Sequence, residues 1–313
     1  MQSAQPVLTN KSERILINAR LVLGTAQLGV HYGISNKTGQ PDEQLAMQMV
    51  AKAHESGIRT FDTAQAYGTS ESILGQSLKL LKLSHSADVI TKLDPKLDHK
   101  DEKVLHEAVE RSLRDLGVSR LRGLLLHRES FLDGWKTGLG RRLTSFIKKN
   151  LVEDLGVSCY SPLKALEALE YDEVRLIQVP ANLWDRRCES AGVFELAAKL
   201  KKTIFIRGIF LQGFFFLKDE EIPSGIKSAA AHLQRLRELA QEFGFTIYQL
   251  ALGYVLTKWP QARVIFGAEM PSQVEENCRL ATTILDAGQM NRIEQTFAGV
   301  EEKILHPGLW GKA

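Results

Sequence analysis

Cysteine is scarce: Cys159, Cys188 and Cys278 are the only three in 313 residues. None forms a CxxC pair, so neither zinc-ribbon spacing nor a disulfide framework is expected, and free thiols suit a reducing compartment. Long apolar runs are missing as well. The greasiest tract, Ile204 to Leu217, is too short to span a bilayer and holds Arg207 and Gln212. The opening residues, MQSAQPVLTNKSER, lack the apolar stretch of a signal peptide, so a soluble, cytoplasmic chain is expected. Nor is there an excess of charge: 40 Lys plus Arg stand against 37 Asp plus Glu, and basic pairs such as Arg141-Arg142 are scattered. No nucleic-acid or membrane partner is expected. No Pro-, Gly- or Ser-rich linker interrupts the chain, which favours one domain over residues 1–313 rather than two.

What the sequence does contain is alternation. Short apolar runs rich in Val, Ile and Leu fall at Leu21 to Leu23, Arg59 to Asp62, Asp88 to Thr91, Leu121 to Leu126, Asp154 to Val157, Arg175 to Val179, Thr203 to Ile206, and Arg263 to Phe266. Segments of helical period lie between them, such as Gln40 to Glu55 closed by Gly57 and Lys103 to Leu116 closed by Gly117. Eight strands with intervening helices predict an α/β fold, a single (β/α)8 TIM barrel with its core at about 21–281. An open doubly wound sheet shares this strand periodicity. Arg14 to Asn18 is read as an N-terminal hairpin arm, and Met290 to Ile304 as an extra C-terminal helix.

In such a barrel, functional groups emerge where strands end. Asp62 ends the second strand and Tyr67 follows; Lys92 ends the third and His127 the fourth. Each alone fits a structural role, but together they form a proton-transfer set. An ammonium near a phenol is expected to lower its pKa, so Lys92 would activate Tyr67 while Asp62 holds Lys92 charged.

The segments FDTAQAYGTSESILG, VITK, LLLH, GVSCYSP, and Gln178 followed by NLWDRR resemble, in order and spacing, the motifs of the aldo-keto reductases. The resemblance implies metal-free, NADPH- or NADH-dependent reduction of a small carbonyl compound. It makes Tyr67 the general acid, Lys92 its modulator, Asp62 the partner of Lys92, and His127 the group that orients the carbonyl. It also answers an absence. Gly138-Leu-Gly140 belongs to no Rossmann loop, and Gly24-Thr25-Ala26-Gln27-Leu28-Gly29 does not continue as a phosphate loop. The family binds its cofactor at the barrel mouth instead.

By the same resemblance, Gly24 and Thr25 border the cofactor, and Ser158 and Gln178 bond its carboxamide, with Cys159 where asparagine is usual. The turn Gly208, Phe210, Leu211, Gln212, Gly213 takes the pyrophosphate. Gly267, Ala268, Glu269, Gln273, Glu276 and Asn277 take the adenosine end. Arg207 stands where many relatives stack an aromatic ring on nicotinamide; its charge repels the oxidised ring, which points it toward pyrophosphate or an anionic substrate. Gly267 and Gln273 replace cations that hold the 2′-phosphate of NADPH, and Glu269 would repel that phosphate, so weakened NADPH preference is expected. Tyr32 and Trp184 are candidates for the substrate pocket wall, whereas Phe214, Phe215 and Phe216 read as core. A Schiff-base enzyme using Lys92, or a regulatory barrel that only binds cofactor, are the alternatives. His106 and Glu110, one helical turn apart, read as surface charge.

Overall fold

A computed structural model describes residues 17–310. Its eight strands are β1 (Leu21–Gly24), β2 (Thr60–Asp62), β3 (Asp88–Leu93), β4 (Leu121–Leu126), β5 (Val152–Ser158), β6 (Val174–Pro180), β7 (Thr203–Arg207) and β8 (Arg263–Phe266). All pair in parallel, in chain order, and β1 pairs β8 to close the barrel. Closure removes the open-sheet alternative. Each expected strand is present, shifted by at most a few residues.

Local chemistry sets the helix ends. The helix Glu43–Glu55 begins after Asp42, whose carboxylate accepts a hydrogen bond from the Leu45 amide, so it starts later than the expected Gln40. The helix Glu102–Leu116 is capped by Asp101 and ends on Gly117, whose left-handed φ of 63° a side chain would resist. The expected C-terminal helix is divided into Ala287–Thr296 and Glu302–Leu305, because the chain reverses at Gly299 with φ 81°. The expected hairpin arm lies outside the described residues except for Ile17 and Asn18, which are helical.

The core has two parts. A large cluster fills the space between strands and helices, and a small one fills the barrel: Val22, Ile90, Leu125, Leu176, Phe205 and Ile265. Side chains alternate along a strand, so the next inward residue lies two positions on. Applied to these six, that rule gives Gly24, Lys92, His127, Gln178, Arg207 and Gly267. A dry apolar floor therefore carries the polar layer at the C-terminal mouth.

Truncating the floor removes buried volume in a space with no room to collapse. Leu176→Ala is expected to destabilise the protein by about 2–5 kcal/mol, read as a lowered midpoint of urea unfolding.

Candidate active site

The end of β2 is tied to its neighbours by short polar contacts. Thr25 Oγ1 donates to the Asp62 carbonyl at 3.1 Å, and Ser70 Oγ reaches the Thr25 carbonyl at 2.7 Å. Tyr67 follows in a tight turn. Gly68, at φ 57°, presses on the backbone of Gly29, and a Cβ on either glycine would collide with the opposing chain. Two glycines in close contact thus hold the phenol over the barrel mouth.

Asp62 is the hub of the polar layer. Its Oδ2 accepts from Lys92 Nζ at 2.7 Å and its Oδ1 from Gln178 Nε2 at 2.8 Å. Lys92, 1% exposed, also donates to the Thr63 carbonyl at 2.8 Å. Ser158 Oγ lies 3.3 Å from Gln178 Oε1, completing a chain from β5 to β3. Lys92 Nζ is 5.1 Å from the centre of the Tyr67 ring, and His127 meets that ring edge to face at 5.5 Å. The structure therefore brings Asp62, Tyr67, Lys92 and His127 together.

Their electrostatics depart from the expectation in one respect. The Tyr67 pKa is raised, first by burial and then by Asp62. The cation that opposes the rise is Arg207. Burial lowers the Lys92 pKa while Asp62 supports the charged form. Burial, followed by Lys92 and Arg207, pushes His127 down to about 3, so its imidazole is neutral.

Beside this cluster lies a cavity of about 140 Å³ whose wall includes Asp62, Tyr67 and Asn277. Gly24, Thr25, Gln178, Arg207, Gly208, Phe210, Gln212 and Gly213 border it, as do Tyr32, Gly267, Ala268, Glu269 and Gln273. Four expected cofactor residues stand off this wall: Ser158 behind Gln178, Cys159, Leu211 and Glu276. The Cys159 side chain is wholly buried, and burial raises its thiol pKa; its carbonyl accepts from Arg207 Nη2 at 3.2 Å. Trp184 is also away from the cavity, packed among Phe214, Phe215, His232 and Phe297. Phe216 is not core like its two neighbours: it lines the cavity, stacked on Tyr248 at 3.9 Å.

Sequence reasoning passed over Gln27, Ser35 and Tyr248 on the wall, and Tyr160 beside it. Tyr160 sits inside the quoted GVSCYSP segment, and its ring lies 3.9 Å from the Arg207 guanidinium carbon.

The wall suits a long polar ligand such as a nicotinamide dinucleotide. Two of its lining residues carry buried polar atoms without partners among the described residues, Arg207 Nε and Asn277 Oδ1. In the loop that follows Arg207, Leu211, Gln212 and Gly213 all have positive φ, and the Leu211 and Gly213 amides bond back to the Gly208 and Phe210 carbonyls at 2.9 Å. Among the described residues no cluster of His, Cys, Asp or Glu is placed to hold a metal ion. His106 and Glu110 simply pair on a helix at 3.4 Å. No helix among these residues is long and apolar enough to cross a membrane.

Residues 20–297 match the model of the Aldo/keto reductase family. The chain belongs to that family. A curated relative, the NADH-specific methylglyoxal reductase of Escherichia coli strain K12, is 24% identical over 293 residues, covering 83% of this chain and 88% of that protein. Among solved structures, a holo aldo-keto reductase from Bacillus halodurans aligns with a TM-score of 0.74 at 22% identity, over 92% of this chain and 95% of that one. An aldo/keto reductase from Klebsiella pneumoniae in complex with NADP and acetate aligns with a TM-score of 0.67 at 19% identity, over 89% and 91%. These structural likenesses bear on the barrel. Membership of the family makes this aldo/keto reductase an oxidoreductase.

The neutral His127 has a consequence for acid stability. The unfolded chain takes up a proton as pH falls through the ordinary histidine value of 6.5, whereas the folded one does so only near 3. Stability is therefore lost progressively between those values as the pH drops. His127→Gln is expected to show a smaller fall in urea midpoint from pH 7 to pH 4 than the wild type; an equal fall would contradict a depressed His127.

Proposed function

We propose that this protein reduces a small aldehyde or ketone to the alcohol with NADH or NADPH, and that Tyr67 donates the proton. The observation that carries this is the buried array in which Asp62 holds Lys92 and Gln178 next to the Tyr67 phenol. A bound reduced nicotinamide supplies hydride to the carbonyl carbon. Gln178, with Ser158 behind it, and Asn277 are the residues proposed to hold the cofactor, and the 211–213 turn receives its pyrophosphate.

The chain's own groups handle the proton. The raised pKa keeps Tyr67 protonated across the physiological range, so its hydroxyl is ready to donate to a carbonyl oxygen. As negative charge builds on that oxygen, it becomes a stronger base than phenolate and the proton moves. Arg207, the cation that acts on the phenol, then offsets the charge left on Tyr67. His127, being neutral, is suited to orient the carbonyl by a hydrogen bond rather than to compete as an acid. A Schiff base at Lys92 would need a free amine at the cavity, whereas this ammonium is buried in an ion pair.

NADH is the expected partner. Gly267 supplies no cation, and the Gln27 amide, the movable end of a flexible side chain, lies where its Cβ would be. Gln273 is turned to the Glu269 backbone amide, 2.6 Å away, and Glu269 itself borders the cavity. A carboxylate near the adenosine ribose would accept from a 2′-hydroxyl and repel a 2′-phosphate.

Tyr67→Phe is expected to lower turnover by roughly 10²–10⁴-fold in a carbonyl panel followed by loss of reduced-nicotinamide absorbance. Near-normal reduction by that variant would remove Tyr67 from the role. Fluorescence titration should give NADH at least about a tenfold lower dissociation constant than NADPH, or ~1.4 kcal/mol; tighter NADPH binding would sink the preference.

A further inference from the structure

Arg207 is a cation without a carboxylate. It ends β7, two residues beyond Phe205 of the apolar floor, and borders the same cavity as Tyr67 and Tyr32. Among the described residues it takes part in no ion pair; its bonded partner is the neutral Cys159 carbonyl at 3.2 Å, and its buried Nε has no partner. The nearby carboxylates are engaged elsewhere. Asp62 is neutralised by Lys92, and Glu129 accepts from the backbone amides of Tyr160 and Ser161 at 2.7 and 2.9 Å.

The guanidinium is also held in place. Its carbon lies 3.9 Å from the centre of the Tyr160 ring, and that ring in turn stacks on His306 at 4.7 Å with an interplanar angle of 17°. A planar, stacked guanidinium with unused donors is preorganised for a carboxylate, which it binds through paired N–H groups. Its influence reaches the reacting end, because it is among the charges that act on Tyr67, Tyr32 and His127.

We propose that Arg207 binds an anionic group of the substrate, and that this reductase prefers carbonyl compounds carrying a carboxylate over their neutral analogues. The inference rests on the reductase reading above. A second source of the same anionic chemistry is the cofactor pyrophosphate, and the test separates the two.

The kcat/KM ratio for glyoxylate over glycolaldehyde, and for succinate semialdehyde over butanal, is measured with NADH for the wild type, Arg207→Met and Arg207→Lys. In parallel, oxamate is titrated against the thermal midpoint without cofactor, and NADH affinity is read by fluorescence. The wild type is expected to favour the acid of each pair. Arg207→Met should lower that ratio by roughly a hundredfold and lose the oxamate-induced rise in midpoint, while Arg207→Lys, keeping the charge, retains part of both. An unchanged ratio overturns the proposal, and an unchanged ratio with a greatly weakened NADH affinity reassigns Arg207 to the pyrophosphate. If the wild type reduces no carbonyl with either cofactor, the reductase reading fails by itself. The oxamate titration then decides alone: a rise that Arg207→Met abolishes upholds the anion site, and no rise overturns it.

Discussion

A single buried ion pair organises the mouth of this barrel. Lys92 and Asp62 are nearly inaccessible and meet at 2.7 Å, in surroundings where either charge alone would be costly to keep ionised. The pair is tolerated because its remaining capacity is filled. Thr63 gives a carbonyl to the ammonium, and Gln178 gives an amide N–H to the carboxylate. Breaking it from one side would leave an uncompensated charge, a loss of about 3–5 kcal/mol in comparable sites. The same contacts join β2, β3 and β6, so a polar cluster does structural work that the apolar floor beneath cannot do alone.

Beside that pair, burial dominates the Tyr67 phenol, with Asp62 raising it further and Arg207 opposing the rise. Arg207, in no ion pair among the described residues, and Glu269 both border the cavity. The two share one cavity in a chain whose overall charge is close to neutral. Local placement, rather than net charge, is what a ligand meets.

Much of this architecture was legible in the sequence because it follows from strand alternation. Every apolar run became a strand, and Lys92, His127, Gln178 and Arg207 face inward because each lies two positions beyond an inward apolar residue of its strand, while Asp62 ends β2 beside them. The likeness around FDTAQAYGTSESILG adds Tyr67, which no strand carries. Residues on long connections were harder. Trp184 and Phe216 exchanged their expected surroundings, the first entering an aromatic core and the second a cavity wall, since hydrophobicity alone does not say which side of a loop a ring will cover. Gln27 escaped notice because its role comes from meeting Gly267 across the β1 and β8 ends, a contact between distant positions.

By itself, then, the sequence determined the alternation of strands and helices, the likeness to the family and which polar residues end the strands, because periodicity and motif order are local properties that survive without coordinates; closure of the sheet into a barrel came from the pairing of β1 with β8. Tertiary structure alone decided how the charges are shared. Lys92 is paired with Asp62, the Tyr67 phenol is raised rather than lowered, His127 is kept neutral, and Arg207 is held on Tyr160 with no counter-ion among the described residues. Those outcomes depend on distances of a few ångströms between groups far apart in the chain and on how deeply each is buried, and Coulomb and desolvation energies are set by these.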